Sequence, residues 1–247
     1  MISKNEIKYL KDFSDKKHRY AEQKFVVEGE KMAEELLNHH REFIYRVYAT
    51  EEFLISHKIA LGKLDTYQVT ESELQRISQL KTANKVLVLC NFMPLSIPES
   101  KLTLVLDGIN DPGNLGTIIR IADWFGISHI YCSEHTVDKY SPKVIQSSMG
   151  SLFRVNVEYK AIHPLLDKTN KAIYFADLEG ENVFKTTLPN EAVIVIGSES
   201  HGISKSLYSI PHKSISIPNF SVGEISTESL NAAVATALIC GQFAQRI

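Results

Sequence analysis

Asn114 and Arg120 stand six residues apart in DPGNLGTIIRIADWFG, residues 111 to 126. A neutral amide and a guanidinium can hold oxygens and negative charge, but a guanidinium has no acceptor and is no ordinary base. Glu199, Ser200 and His201 fall together in GSESHGIS, residues 197 to 204, and Ser229 and Asn231 fall in SIPNFSVGEISTESLNAAVATA, residues 216 to 237. A serine beside a histidine invites a hydrolase reading. A nucleophile elbow needs G-x-S-x-G, however, and Ser198 occupies the place of its first glycine around Ser200. The chain also lacks G-x-x-x-x-G-K-[ST] and G-x-G-x-x-G, so phosphate-cradling nucleotide folds gain no support.

Each of the three stretches follows an apolar strand and leads toward a helix. LTLVLD precedes the first, and turn residues Asn110 to Gly113 lead into a helix with the stripe Leu115, Ile118, Ile119, Ala122 and Phe125, stopped at Gly126. Asn114 falls where a helix N-cap is expected, and capping is its plainest role. Arg120 lies off the stripe, as an ordinary surface arginine would. AVIVI precedes the second stretch and SISIP opens the third, whose helix is dense in small residues (Ala232, Ala233, Ala235, Ala237, Gly241) suited to close packing. Ser229 and Asn231 sit at its start, again as plain caps. From residue 101 onward, strands alternate with helices, which predicts a mostly parallel sheet covered on both faces. Ligands of such sheets bind beyond the carboxyl ends of the strands.

The proline- and serine-containing stretch MPLSIPES, residues 93 to 100, separates this region from a smaller α/β unit, and places the domains at 1–97 and 98–247. The front unit reads as helices around Ile7 to Phe13, EKMAEELLNHH and ESELQRISQL, with strands FVVEG, YRVYAT and KVLVLCNF. At 247 residues and 44% hydrophobic, the chain can bury a sizeable core. Its net charge of −2 announces no nucleic-acid partner overall. Residues 1 to 31 nevertheless hold eight basic against six acidic groups, including Lys16, Lys17, His18 and Arg19, which read either as a solvated helix face or as a local basic patch. No apolar run reaches the roughly 20 residues of a membrane span, and the N-terminus lacks a signal-peptide core, so the expected address is the cytoplasm. Cys90, Cys132 and Cys240 sit in apolar settings without metal spacing, as reduced packing residues.

Taken in order, DPGNLGTIIRIA, IVIGSESHGIS and IPNFSVGEISTESLNAAVA resemble the three motifs of the SpoU (TrmH) family of RNA ribose methyltransferases, within the SPOUT class. The resemblance covers residues 101 to 247. SDKKHRYAEQKFVVEGEKMAEELL resembles the ribosomal-protein-like substrate-binding domain often fused in front of this unit. The resemblance implies a trefoil-knotted, homodimeric catalytic domain, an exception to the avoidance of knots. Matched by position, it implies Asn114, Arg120, Glu199, Ser229 and Asn231 as the active-site polar set. Gly197, Ile217 and Leu230 would help hold S-adenosylmethionine through backbone groups, and Lys16, Lys17 and Arg19 would touch RNA. The sequence departs from the family in a longer loop from Asn219 to Glu228, which contains Gly223.

The chemistry so implied is methyl transfer to a ribose 2′-hydroxyl, with no metal required. Ribosomal RNA is the substrate favoured by the fused front domain. A transfer RNA substrate, or a non-catalytic RNA-binding member of the fold, are the alternatives. Arg120 is expected to grip the target phosphate and stabilise the forming alkoxide. Asn114, Ser229 and Asn231 are expected to fix ribose and loop geometry, with Glu199 orienting Arg120 or a backbone amide.

Overall fold

The computed structural model describes residues 2–94, 96–221 and 228–245. By compactness the chain divides into two units, residues 1–94 with 140–153 and residues 95–139 with 154–247.

The first unit begins with α1 (Lys4–Asp12), whose Ser3 cap accepts from the Glu6 amide and whose Ile7 and Leu10 are buried. Then come α2 (Lys16–Glu22), β1 (Lys24–Glu28), α3 (Glu30–His39), β2 (Ile44–Ala49), α4 (Glu51–Ser56), α5 (Lys58–Leu61), β3 (Thr66–Gln68), α6 (Glu71–Ile77) and β4 (Val86–Asn91). The sheet runs β1-β4-β2-β3, antiparallel except for the β2–β3 pair. Leu10, Phe13, Tyr48, Leu74, Ile77, Leu87 and Leu89 share its core. The elements that sequence patterning did not reveal are α2, α4, α5 and β3, all short, and β3 is exposed along its whole length. Helix α6 carries a full capping box, Thr70 with Glu73, which explains why its start was readable.

The second unit is built on a six-stranded sheet: β5 (Leu102–Asp107), β6 (His129–Cys132), β7 (Asn156–Tyr159), β8 (Ala172–Asn182), β9 (Ala192–Gly197) and β10 (Lys213–Ser216). Their order is β10-β8-β9-β5-β6-β7, and every neighbouring pair is parallel. Helices α7 (Pro112–Trp124), α9 (Ile162–Asp167) and α10 (Ala232–Ala244) belong to this unit, whereas α8 (Pro142–Ser148), expected from sequence as part of the same alternation, groups with the first unit. Strands β5 and β9 are buried along nearly their full length, as a sheet covered on both faces requires. The three cysteines are free and buried, and burial pushes the Cys132 and Cys240 thiols up to about 12.

Candidate active site

The parallel register sets the first two stretches side by side, because Asp107, the last residue of β5, pairs with Gly197, the last residue of β9. Their loops therefore leave the sheet at the same level. Asp107 is buried and its Oδ2 accepts the Ser204 amide at 2.7 Å, fastening the far end of the second loop to the strand that feeds the first. Between those anchors the loop folds back on itself, with Ser198 and Gly202 exchanging backbone hydrogen bonds of 3.1 and 2.9 Å. A Cβ at Gly197 would collide with the Gly202 carbonyl, so only glycine permits the turn that lifts Glu199 to its tip.

Helix α7 starts earlier than the sequence implied. Pro112 is its first residue and Asp111 its cap, accepting the Asn114 amide at 2.9 Å, so Asn114 lies inside the first turn and its side chain is released from capping. That side chain donates from Nδ2 to Glu199 Oε1 at 2.9 Å. Asn231 does two jobs. Its Oδ1 caps α10 by accepting from Ala233 and Val234, while its Nδ2 donates to Asn114 Oδ1 at 2.9 Å and to Glu199 Oε1 at 2.8 Å. The Ala232 amide donates to the same Glu199 oxygen at 2.9 Å. One carboxylate oxygen thus gathers three donors from two segments that lie 117 residues apart.

Beside this network lies a cavity of about 890 Å3, lined by polar or loop residues that include Asp177, Gly197, Glu199 and Ser229 and by the apolar Ile196, Ile203, Ile217, Leu230, Ala235 and Ile239. Asp177 and its partner Tyr208 were not foreseen from the sequence, since nothing local marks them. The Tyr208 hydroxyl, pushed up to about 12 by burial and then by its bond to Asp177, remains a donor at neutral pH. Asn114 and Asn231 join the cavity wall only through Glu199. Arg120 joins neither: it is exposed on α7, and six residues of helix carry it roughly 9 Å along the axis and well around it from Asn114. Residues 222–227, including Gly223 and most of the longer loop, lie outside the described residues.

In the first unit the basic cluster splits. Lys16 and Lys17 are exposed at the start of α2. Arg19 is only 3% exposed, and its guanidinium donates to the Phe13 and Ser14 carbonyls at 2.7 and 2.9 Å, closing the turn between α1 and α2. Its guanidinium thus has structural partners within its own turn. Among the described residues no helix is long and apolar enough to cross a membrane, and no group of three or more His, Cys, Asp or Glu is arranged to hold a metal.

A chain with these features has close relatives. The SpoU rRNA Methylase family matches residues 101–241, and the MRM3-like substrate binding domain matches residues 4–88. The 23S rRNA (guanosine(2553)-2'-O)-methyltransferase RlmP of Bacillus subtilis is 26% identical over 244 residues, covering 94% of this chain and 93% of that protein. The solved structure of a putative RNA methyltransferase of the TrmH family from Porphyromonas gingivalis is 35% identical, with TM-score 0.87 and full coverage of both chains. The SpoU methyltransferase AviRb from Streptomyces viridochromogenes, solved with AdoMet, shares the fold at 20% identity, with TM-score 0.84 over 99% of this chain and 98% of its own. With its motif loops drawn together at the ends of a parallel sheet, and with that match over more than half its length, this chain belongs to the SpoU rRNA Methylase family.

Proposed function

We propose that this protein methylates a ribose 2′-hydroxyl of ribosomal RNA, using S-adenosylmethionine. The observation that carries the reading is the single Glu199 oxygen holding Asn114, Asn231 and the start of α10 together beside the cavity. The cavity fits the cofactor: about 890 Å3, largely apolar walls and a few fixed polar groups match what a drug-sized ligand requires. Gly197, Ile217 and Leu230 would hold it through backbone groups. When bound, S-adenosylmethionine supplies an electrophilic methyl group on a sulfonium that needs no protonation to leave.

The chain's own residues have the remaining tasks. Asn114, Ser229 and Asn231 offer neutral hydrogen bonds that orient the ribose, and Glu199 fixes two of them in place. Arg120 grips the phosphate next to the target and stabilises charge growing on the 2′-oxygen. Lacking an acceptor, it leaves the hydroxyl proton to an oxygen of that phosphate. Relatives named for 2′-O-methylation of 23S ribosomal RNA support the choice of oxygen and of substrate. Mapping ribose methylation in RNA from a strain deleted for this gene should show one ribosomal 2′-O-methyl lost and restored by the wild-type chain. Loss of a base methylation, or of a transfer RNA mark, would overturn the assignment.

The same reading includes a trefoil knot in residues 98–247, which rests on the family match, and a homodimer. Arg120 stands apart from the Glu199 network in one chain, and Trp124, four residues further along α7, is 84% exposed on the same face. Val234 and Leu238 of α10, which packs on α7, are 49% and 39% exposed. A second copy would cover these apolar groups and complete the surroundings of Arg120; sedimentation of an active monomer would refute it. A ribosomal target makes the cytoplasm the compartment we assign.

Residues 1–97 serve in this scheme as the RNA-holding domain, through Lys16 and Lys17. Replacing both with Ala should weaken RNA binding and flatten the slope of log affinity against log salt by ~0.7 to 0.9 for each phosphate that the lysines neutralise. Filter binding at several salt concentrations measures this. An unchanged slope would leave the two lysines as a solvated helix face. Arg19→Ala should instead lower the melting temperature, because two carbonyls would lose a charged donor.

A further inference from the structure

Strand β8 leaves its ladder. Phe175 pairs with Ser214 of β10, but the next β10 residue, Ile215, pairs with Glu181, so residues 176–180 of β8 are thrown out of register. A Cβ at Gly180 would collide with the Ile215 backbone, and the glycine lets the strand return against its neighbour. The excursion delivers Asp177 and Leu178 to the cavity. Bulges of this kind re-aim side chains at functional sites.

Asp177 is held rather than loose. Its Oδ2 accepts the Tyr208 hydroxyl at 2.5 Å and its Oδ1 accepts the Glu179 amide at 3.3 Å. Tyr208 is itself braced edge-on against Phe175 and His212, whose rings stack 4.0 Å apart. Each carboxylate oxygen has two acceptor positions, so two remain for a ligand. Strand order says which part of the ligand they meet. The Asn114 helix follows β5, Glu199 follows β9, and Asp177 belongs to β8, two strands from β5. At about 4.8 Å per strand, Asp177 is displaced by roughly 10 Å from the end of the sheet where transfer takes place. A cofactor whose reactive end faces Asn114 therefore turns its nucleoside toward β8.

We propose that Asp177, held by Tyr208, is a specificity-determining residue that accepts hydrogen bonds from the ribose hydroxyls of the cofactor's adenosine. The inference rests on the cofactor reading given above. A carboxylate at the carboxyl end of a parallel strand binds ribose in the same chemical manner in dinucleotide-binding sheets. The neighbouring Ile196, Ile203 and Ile217 suit the base instead.

Calorimetric titration with S-adenosylhomocysteine, which cannot turn over, and with its 2′,3′-dideoxy analogue tests this. The wild type should prefer the hydroxylated ligand by roughly 10- to 100-fold, the range of hydrogen bonds to a charged group. Asp177→Ala should lose that preference by weakening only the hydroxylated ligand. Asp177→Asn, which retains acceptor oxygen, should keep part of it. Tyr208→Phe, which removes the donor that holds the carboxylate, should narrow the preference for the hydroxylated ligand, and it serves with Asp177→Asn if the alanine variant fails to fold. If Asp177→Ala binds both ligands as the wild type does, or weakens both equally, the ribose assignment is overturned while the cofactor reading stands. Greater weakening of S-adenosylmethionine than of S-adenosylhomocysteine would place the carboxylate by the cationic end and also overturn it. If the wild type binds neither ligand, the cofactor reading itself falls, and this inference with it.

Discussion

Arg120→Ala is expected to lower single-turnover methyl transfer by about 10²- to 10³-fold or more, the loss typical of removing one donor to a developing oxyanion. Affinity for S-adenosylhomocysteine should stay near the wild-type value. The two halves of this expectation have separate grounds. Arg120 does not bound the cavity and shares no hydrogen bond with the Glu199 network, so ground-state cofactor binding has nothing to lose. The positive charge is instead exposed on α7. Arg120→Lys should rescue poorly, because an ammonium cannot hold two oxygens in the planar fork that a guanidinium offers. Quench-flow with saturating RNA, alongside calorimetry, separates the terms. Near wild-type transfer by the alanine variant would remove Arg120 from the chemistry, and weakened cofactor binding with an unchanged transfer rate would move it to the cofactor side.

The contrast between Arg120 and Asn114 shows what the sequence could and could not convey. The α7 stripe of Leu115, Ile118, Ile119 and Ala122 is buried as its spacing predicted, because helical periodicity is a local property that packing then uses. The cap was misplaced for a local reason too. Proline is well suited to the first helical turn, so Asp111 took the cap and Asn114 moved inside. What Asn114 does with its freed amide depends on a residue 85 positions away, and no window of the sequence contains both. Arg19 makes the same point in reverse. Its neighbours Lys16 and Lys17 suggested a basic patch, yet its guanidinium closes a turn by binding two carbonyls, which composition cannot distinguish from an exposed charge. The excursion of β8 was invisible because AIYFADL reads as an uninterrupted strand, and only the register with β10 reveals residues 176–180 leaving the ladder. Helix α8 was legible as a helix but not as a member of the first unit, since compactness is settled by tertiary contacts.

Glu199→Ala should damage both binding and transfer, unlike Arg120→Ala, because one oxygen serves three donors on two different loops. Its removal leaves the Asn114 amide with Asn231 alone, takes away one of the two acceptors of Asn231 Nδ2, and strips the Ala232 amide of its acceptor at the start of α10. The fold should survive, since Asn231 still caps Ala233 and Val234 and the Asp107–Ser204 anchor still closes the loop base. The loss therefore falls on alignment. Misplacing reacting groups by even an ångström can cost about 100-fold, so a combined fall of that order or more in kcat/KM is expected. Glu199→Gln keeps an acceptor oxygen at the same place but forfeits its charge, and charge-assisted hydrogen bonds are roughly twice as strong as neutral ones, so it should recover part of the loss. Asn114→Ala and Asn231→Ala should each cost less than Glu199→Ala. Combined with it, they should add little, because residues sharing one network are not additive. Measuring kcat, KM and S-adenosylhomocysteine affinity for the four single variants and the double variants tests the arrangement. If the effects of Asn114→Ala and Glu199→Ala simply multiplied, the two side chains would be acting independently, and the shared oxygen would not be what joins the loops.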